Sequence, residues 1–285
     1  MWNFVMLIGL FCITMAVILR IMNPTVRKEL SMKKQMALTI SFIAILMVAW
    51  WAVTNGERVE DRIIAPIILP SLSEVLHAFP RLHFEQGLTL SILASFRRVA
   101  IGFSLASVLA FTLGVFMASY SPVASFFKPV ALIGSYVPII SFVPLTLAWW
   151  GIGEVQKIGF LFIACFVALL PLVINSVNKV NGAYLDVAKT KGATQWQLVW
   201  HVLVPVAMAD IWDHLRGIYG VGWGWIILAE VVNAQNGIGY LMAISERRGQ
   251  TSSIFALIIV IVLIASICDK LWKMAGNKLF VRATT

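Results

Sequence analysis

Charge is scarce in this sequence, and what there is leans one way: 12% of the 285 residues are charged, with 22 Lys and Arg against 13 Asp and Glu, for a net charge of +9. A basic excess can mark a nucleic-acid binder, but such proteins cluster their basic side chains on a solvated domain, and no such cluster is present here. Cysteine is nearly absent. Cys12, Cys165 and Cys268 all fall inside apolar runs without paired spacing, so neither a disulfide frame nor a metal site is supported, and the three read as small apolar residues packed in helices. The four histidines, His77, His83, His201 and His214, show no ligand spacing. No GxxxxGK[ST] run exists to cradle a nucleotide phosphate, and HExxH, GxSxG and CxxC are missing as well. The chain therefore carries no P-loop and none of these catalytic or metal motifs.

What is abundant is hydrocarbon. Hydrophobic residues make up 60% of the chain, and the mean hydropathy is +0.89, far above an ordinary soluble domain. A helix needs about 20 apolar residues to cross the bilayer, and only a helix or a closed barrel satisfies its backbone there. Charge-poor runs fall at 1–20, 35–54, 88–119, 129–150, 158–178, 206–232 and 253–272. The expected fold is all-α: a polytopic membrane protein of about seven transmembrane helices. The run 1–20 lacks the basic start and small-residue cleavage site of a signal peptide and is taken as a span.

Between residues 55 and 87 the chain mixes charges with Pro66, Pro70 and Pro80. Ser71-Leu72-Ser73-Glu74 predicts a capping box opening a short helix along the membrane surface, which either contacts an external protein or only covers the ends of spans. Trp50, Trp51, Trp149, Trp150 and Trp272 stand near predicted span ends, the depth that amphipathic indoles favour.

Residues 183–205, AYLDVAKTKGATQWQLVWHVLVP, form a polar, partly basic island between two strongly apolar runs. The pattern predicts a helix, a left-handed turn at Gly192, a second short helix, and the start of a new span. Here the sequence resembles the permease subunits of binding-protein-dependent ABC importers, whose cytoplasmic loop carries Glu-Ala-Ala, three residues, Gly, and a hydrophobic-x-Leu-Pro close. This chain has Asp186-Val187-Ala188, then Gly192-Ala193, then Leu203-Val204-Pro205. Asp stands for Glu, Val for the first Ala, and Val precedes Pro205 where Leu is usual.

The neighbourhood extends the likeness over roughly residues 65–280. It includes Ser95-Phe96-Arg97-Arg98-Val99, Gly102-Phe103, Gly114, Tyr136-Val137-Pro138, Phe142-Val143-Pro144-Leu145, Trp150-Gly151-Ile152-Gly153-Glu154, Glu230 and Gly237-Ile238-Gly239. In that order these resemble the subfamily that imports nitrate, bicarbonate, taurine and other sulfonates; relatives also handle thiamine-precursor pyrimidines, and the motifs are nearly silent on the substrate.

The resemblance implies a non-catalytic subunit without a cofactor, whose energy comes from another subunit. A second permease copy, or a close relative, would complete a central pore. Two ATPase subunits would dock on the coupling loop, with Tyr184, Asp186, Ala188, Gly192, Ala193, Trp196 and Pro205 at the contact, and an extracytoplasmic solute-binding protein would deliver solute. Residues 1–34 would be an added helix and cytoplasmic linker ahead of a transmembrane domain at 35–285. With the loop in the cytoplasm of a bacterial inner membrane, most Lys and Arg fall on the inner side, which places the N-terminus outside and the C-terminus inside.

Four features are candidates for the translocation path. Gly217, Gly220, Gly222 and Gly224 crowd one span, where small residues mark packed faces or permit gating motions. Glu230, the single acid between Gly217 and Ser245, must find protein, a partner charge or water. Arg98, beside Arg97 near the outer end of its span, either offers fixed donors to an anionic solute or snorkels or pairs with Glu230. Pro138, Pro144 and Pro171 interrupt predicted spans and allow either gating rotation or static curvature. A secondary transporter driven by an ion gradient would carry inverted repeats and mid-span ionisable groups, and an intramembrane enzyme a catalytic cluster at depth; neither is evident.

Overall fold

The computed structural model of the chain describes residues 31–56, 62–232 and 234–280. The charge-poor run 1–20 lies outside them. The chain divides into two units, Met1–Asn55 and Gly56–Thr285. In the first, α1 (Met32–Thr54) starts where the Lys34 and Gln35 N–H groups bond to the Ser31 carbonyl. Its exposed apolar side chains include Met36, Ile40, Leu46 and Trp51, the composition of a membrane-spanning helix.

The second unit is all helical among its described residues: α2 (Leu72–Phe84), α3 (Leu88–Ser119), α4 (Ser121–Tyr136), α5 (Phe142–Trp150), α6 (Glu154–Asn178), α7 (Gly182–Thr190), α8 (Val204–Val231), α9 (Ile238–Arg247) and α10 (Thr251–Leu279). α6 is its centre, packed between α3 and α8. The reason lies in side-chain size. Gly102, Ala106, Ala110 and Gly114 recur every fourth residue on the buried face of α3. A Cβ built on Gly102 would stand 3.1 Å from Leu161 Cβ, and one on Gly114 only 2.7 Å from Val173 Cγ1, so the two backbones approach as small-residue stripes allow in a bilayer. On the other flank, Gly222 of α8 lies in ordinary contact with Cys165. Toward one end the core closes on Val115, Val173, Val177, Val199, Leu203, Ala207 and Ile211.

Several expectations need correction. The predicted span 129–150 is not one helix: α4 begins at Ser121, carries Pro129 inside it, and ends at Tyr136; a 3₁₀ turn (Ile139–Ser141) then leads into α5. Pro138 sits in extended backbone at that break, because proline lacks a donor and turns the residue before it away from helical geometry. Pro144 interrupts nothing, lying in the first turn of α5, where its missing N–H is no loss, while Pro171 lies inside an unbroken α6.

Among the described residues four helices, α1, α3, α6 and α10, are long and apolar enough to cross a membrane. α8 has the length, 28 residues, but Asp210, Asp213 and Arg216 occupy its N-terminal half. Lys157 lies in the first turn of α6, buried, with Nζ donating to the Gly153 carbonyl at 3.0 Å. Trp272 is not at a helix end: it lies inside α10 against Trp212, Phe103 and Tyr219. Of the crowded glycines of α8, only Gly222 meets a neighbour within 4 Å, and Gly217, Gly220 and Gly224 face open space.

Candidate functional site

Two arrangements stand at opposite ends of α6, whose 25 residues span roughly 37 Å at the helical rise. The first follows its C-terminus. Asn181 caps α7, its Oδ1 accepting from the Ala183 N–H at 3.0 Å. α7 ends at Thr190 with Lys191 as its C-cap, and Gly192 takes φ +79°, so that the Gly192 N–H reaches the Lys189 carbonyl (2.9 Å) and the Ala193 N–H reaches the Ala188 carbonyl (3.1 Å). That pair of bonds is the Schellman closure, which needs a residue free to adopt left-handed backbone.

Thr194 then opens the next turn through a reciprocal capping box with Gln197. The chain runs through a helical turn (Gln195–Gln197) and a π-helical stretch (Leu198–Leu203) directly into α8, with Pro205 near its start. The predicted helix, left-handed turn and short helix are thus all present.

The segment is anchored on one side and open on the other. Leu198, Val199 and Leu203 are buried in the core, and Trp200 packs against it. By contrast, Tyr184, Val187 and Trp196 are each more than half exposed. Asp186 is exposed beside Lys189, with Ala188 and Ala193 partly covered. Ala188, Lys191, Gly192, Ala193, Gln197 and His201 line a shallow cleft between the two helical arms. Solvent-facing apolar side chains around a cleft, rimmed by Asp186, Lys189 and Lys191, make a surface suited to a protein partner.

The second arrangement joins the N-terminal part of α3, the N-terminus of α6, the C-terminus of α8 and the connection into α9. Arg98, 1% exposed, spends all five guanidinium donors on protein. Its Nε and Nη2 grip the Glu154 carboxylate, Nε at 2.8 Å. Its Nη1 donates to Glu230 Oε1 (2.8 Å) and the Asn236 carbonyl (2.8 Å), and its Nη2 also reaches Asn236 Oδ1 (2.7 Å).

Glu230, fully buried, further accepts from Ser95 Oγ (2.8 Å) and the Gly239 N–H (2.9 Å), and Ser95 Oγ accepts in turn from the Ile238 N–H (2.9 Å). Charges taken out of water persist only when paired and fully hydrogen-bonded, which this set achieves. Arg97 differs. Its side chain is 64% exposed and makes one contact, Nη2 to Glu154 Oε2 at 3.2 Å.

The two glycines of the α8–α9 connection are explained by this network. Gly237 has φ +124°, and a Cβ there would fall 2.5 Å from Glu230 Cδ and 2.7 Å from Arg98 Nη1; one on Gly239 would fall 2.7 Å from Glu230 Cβ. Only bare backbone can lie so close on the ion pair. Of the residues picked from sequence for a path, Arg98 and Glu230 therefore meet each other, Gly222 packs on α6, and Pro138 breaks the chain between α4 and α5. Sequence reasoning did not single out Glu154 or Asn236 as partners of Arg98, or Ser95 as a partner of Glu230. The local signals were Glu154 behind Gly151 and Gly153, and the Gly237-Ile238-Gly239 pair that follows Glu230.

Comparison with known proteins bears on both arrangements. The family described as "Binding-protein-dependent transport system inner membrane component" matches residues 110–272. The chain is 28% identical over 243 residues to the taurine transport system permease protein TauC of Escherichia coli (strain K12), covering 84% of this chain and 86% of that one. It is 30% identical over 266 residues to a putative ABC transporter permease protein of Methanocaldococcus jannaschii, covering 90% and 96%. The nitrate import permease protein NrtB of a Synechocystis strain is 27% identical over 240 residues, covering 80% and 83%. Among solved structures, an inward-facing form of the MetNI methionine ABC transporter superposes with a TM-score of 0.56 at 17% identity, covering 68% of this chain and 96% of that one.

Proposed function

Because this chain belongs to the inner membrane components of binding-protein-dependent transport systems, we propose that it forms, with a second copy of itself, the pore for a small oxyanion. As a multi-pass permease subunit it is non-catalytic, and such a system implies an ATPase and a solute-binding protein as partners. The substrate class proposed here, nitrate, bicarbonate, taurine or a sulfonate, draws support from relatives named for taurine, aliphatic sulfonates and nitrate. Residues 1–34 serve as an added anchor and linker before the shared domain at 35–285, with the N-terminus outside and the C-terminus in the cytoplasm.

The observation that carries this reading is the exposed segment between α6 and α8. Tyr184, Asp186, Ala188, Gly192, Ala193 and Trp196 form a contact for the ATPase, and Pro205 marks where the segment joins α8. Because Leu198, Val199 and Leu203 are buried in the core, a push on the exposed arms is delivered to α6 and α8 rather than absorbed by a loose loop. ATP binding swings this lever and turns the pore outward, and hydrolysis resets it. Pro138, at the break between α4 and α5, gives the bundle a place to bend, and Gly222 lets α8 slide on α6. Arg98 and Glu230 brace the path at the end of α6 opposite the lever.

Replacing Gly192 with Val tests the lever. No atom stands within 4 Å of the added Cβ, so insertion and folding persist, while the left-handed turn is disfavoured and ATP-driven uptake falls. Unchanged uptake in that variant removes the segment from the coupling role. The solute is identified by measuring which oxyanion the cognate binding protein holds.

A further inference from the structure

The network around Arg98 is lopsided. On one edge, Nη1 is locked to fully buried Glu230 and to the Asn236 backbone. The other edge, Nε and Nη2, faces Glu154, whose side chain is 43% exposed and which also receives Nη2 of the open Arg97 guanidinium. Two guanidinium groups thus converge on one accessible carboxylate, and Arg98 holds it in the two-pronged manner that a planar oxyanion takes.

The local charge favours an anion. Arg97, Arg98 and the buried Lys157 face Glu154 and Glu230, three positive groups to two negative. Lys157 Nζ has a single hydrogen bond, to the Gly153 carbonyl, and lies one helical turn from Glu154. The Glu154 carboxylate is held by Arg97 and Arg98, and the residue opens α6 after Gly151 and Gly153, neither of which has any atom within 4 Å of where a Cβ would stand. The carboxylate can leave with little rearrangement of packed side chains, whereas the guanidinium edge cannot leave, because Glu230 and Asn236 hold it from behind.

We propose that the Arg97–Arg98 pair is a binding site for a small oxyanion, and that the Glu154 carboxylate is its resident, displaceable occupant. A carboxylate, nitrate or sulfonate group takes the place of Glu154 on Arg98 Nε and Nη2 with Arg97 closing from outside. Its arrival releases the tie between α3 and the start of α6. The site is defined by this chain's own side chains, and its use in transport rests on the permease reading above.

The test is anion rescue in the purified, detergent-solubilised chain, which needs neither ATPase nor transport. Glu154→Ala empties the guanidinium edge and lowers the melting temperature. Formate or nitrate then restores it by roughly 2–4 °C in a saturable way, while chloride at the same ionic strength does not, and wild type responds in the same anion order but by less and at higher anion concentration, because the anion must first displace Glu154. Glu154→Gln, nearly the same shape but neutral, carries the measurement if the alanine variant does not fold; it shows the same anion order with a smaller rise. Equal responses to formate, nitrate and chloride, a rise in wild type as large as in the variants, or no response of wild type to formate and nitrate at any concentration that saturates the variants, overturns the proposal. Copurification of an ATPase with wild type is scored separately, so the oxyanion site and the permease reading stand or fall apart.

Discussion

Gly237→Ala and Gly192→Ala compare two of the glycines that hold positive φ in this chain. At Gly237 the backbone sits at φ +124°, and a methyl group would come 2.5 Å from Glu230 Cδ, 2.6 Å from Oε2 and 2.7 Å from Arg98 Nη1. Holding an alanine in that backbone region costs about 1–3 kcal/mol. The overlap cannot be relieved by a free side chain, because Glu230 is held by Ser95 and the Gly239 N–H while Arg98 is held by Glu154 and Asn236. At least one hydrogen bond to a charged group must break, adding roughly 1.5–3 kcal/mol.

Gly192→Ala carries backbone strain alone, since φ is +79° and nothing lies within 4 Å, which amounts to about 1–2 kcal/mol. The difference, roughly 2–4 kcal/mol, corresponds to a melting temperature about 5–15 °C lower for Gly237→Ala than for Gly192→Ala. Thermal denaturation of the two variants in detergent, followed by the loss of the monodisperse size-exclusion peak, measures it. A Gly237→Ala protein that melts no lower than Gly192→Ala would refute the claim that the connection rests on the ion pair.

Three further outcomes follow from the same geometry. Glu230→Gln leaves Arg98 Nη1 facing a neutral group inside the protein and should destabilise by roughly 3–5 kcal/mol, seen as a lower melting temperature. Ser95→Ala removes the hydroxyl that joins the Ile238 N–H to Glu230 and costs about 1–3 kcal/mol, measured as faster hydrogen exchange at Ile238. At α2, burial alone would raise the Glu74 carboxyl, but the Ser71 N–H, the Arg62 guanidinium and the Ser71 hydroxyl outweigh it and hold the group below its ordinary 4.5. A carboxyl lowered on folding stabilises the folded state above its unfolded value, and that contribution is lost as pH falls through the folded one. Proteolysis of the segment around Arg62 and α2 should therefore rise as pH drops below 4.5, and Glu74→Gln should remove that pH dependence.

The features legible in the sequence are those set by neighbours along the chain. Backbone groups in a bilayer must be satisfied within the helix, so apolar length alone located α3, α6 and the start of α10 to within a few residues. Ser71 with Glu74, and Gly192 after α7, act over three to five residues, and both turns form as their patterns predict. Pro138 is a local signal too, but the length of the apolar run 129–150 outweighed it and concealed the break between α4 and α5.

What tertiary structure decided is which side chains meet. Arg98 and Glu230 are 132 positions apart and Arg98 and Glu154 are 56 apart; the sequence offered pairing with Glu230 as one alternative among several and did not name Glu154 at all. The same holds for the glycines. Gly222 touches α6 while Gly217, Gly220 and Gly224 face open space, though all four look alike in the sequence. Helices are written by hydropathy and turns by local stereochemistry, but a buried charge is tolerated only where distant groups converge to replace its water, and that convergence exists only once α3, α6, α8 and the connection into α9 are packed together.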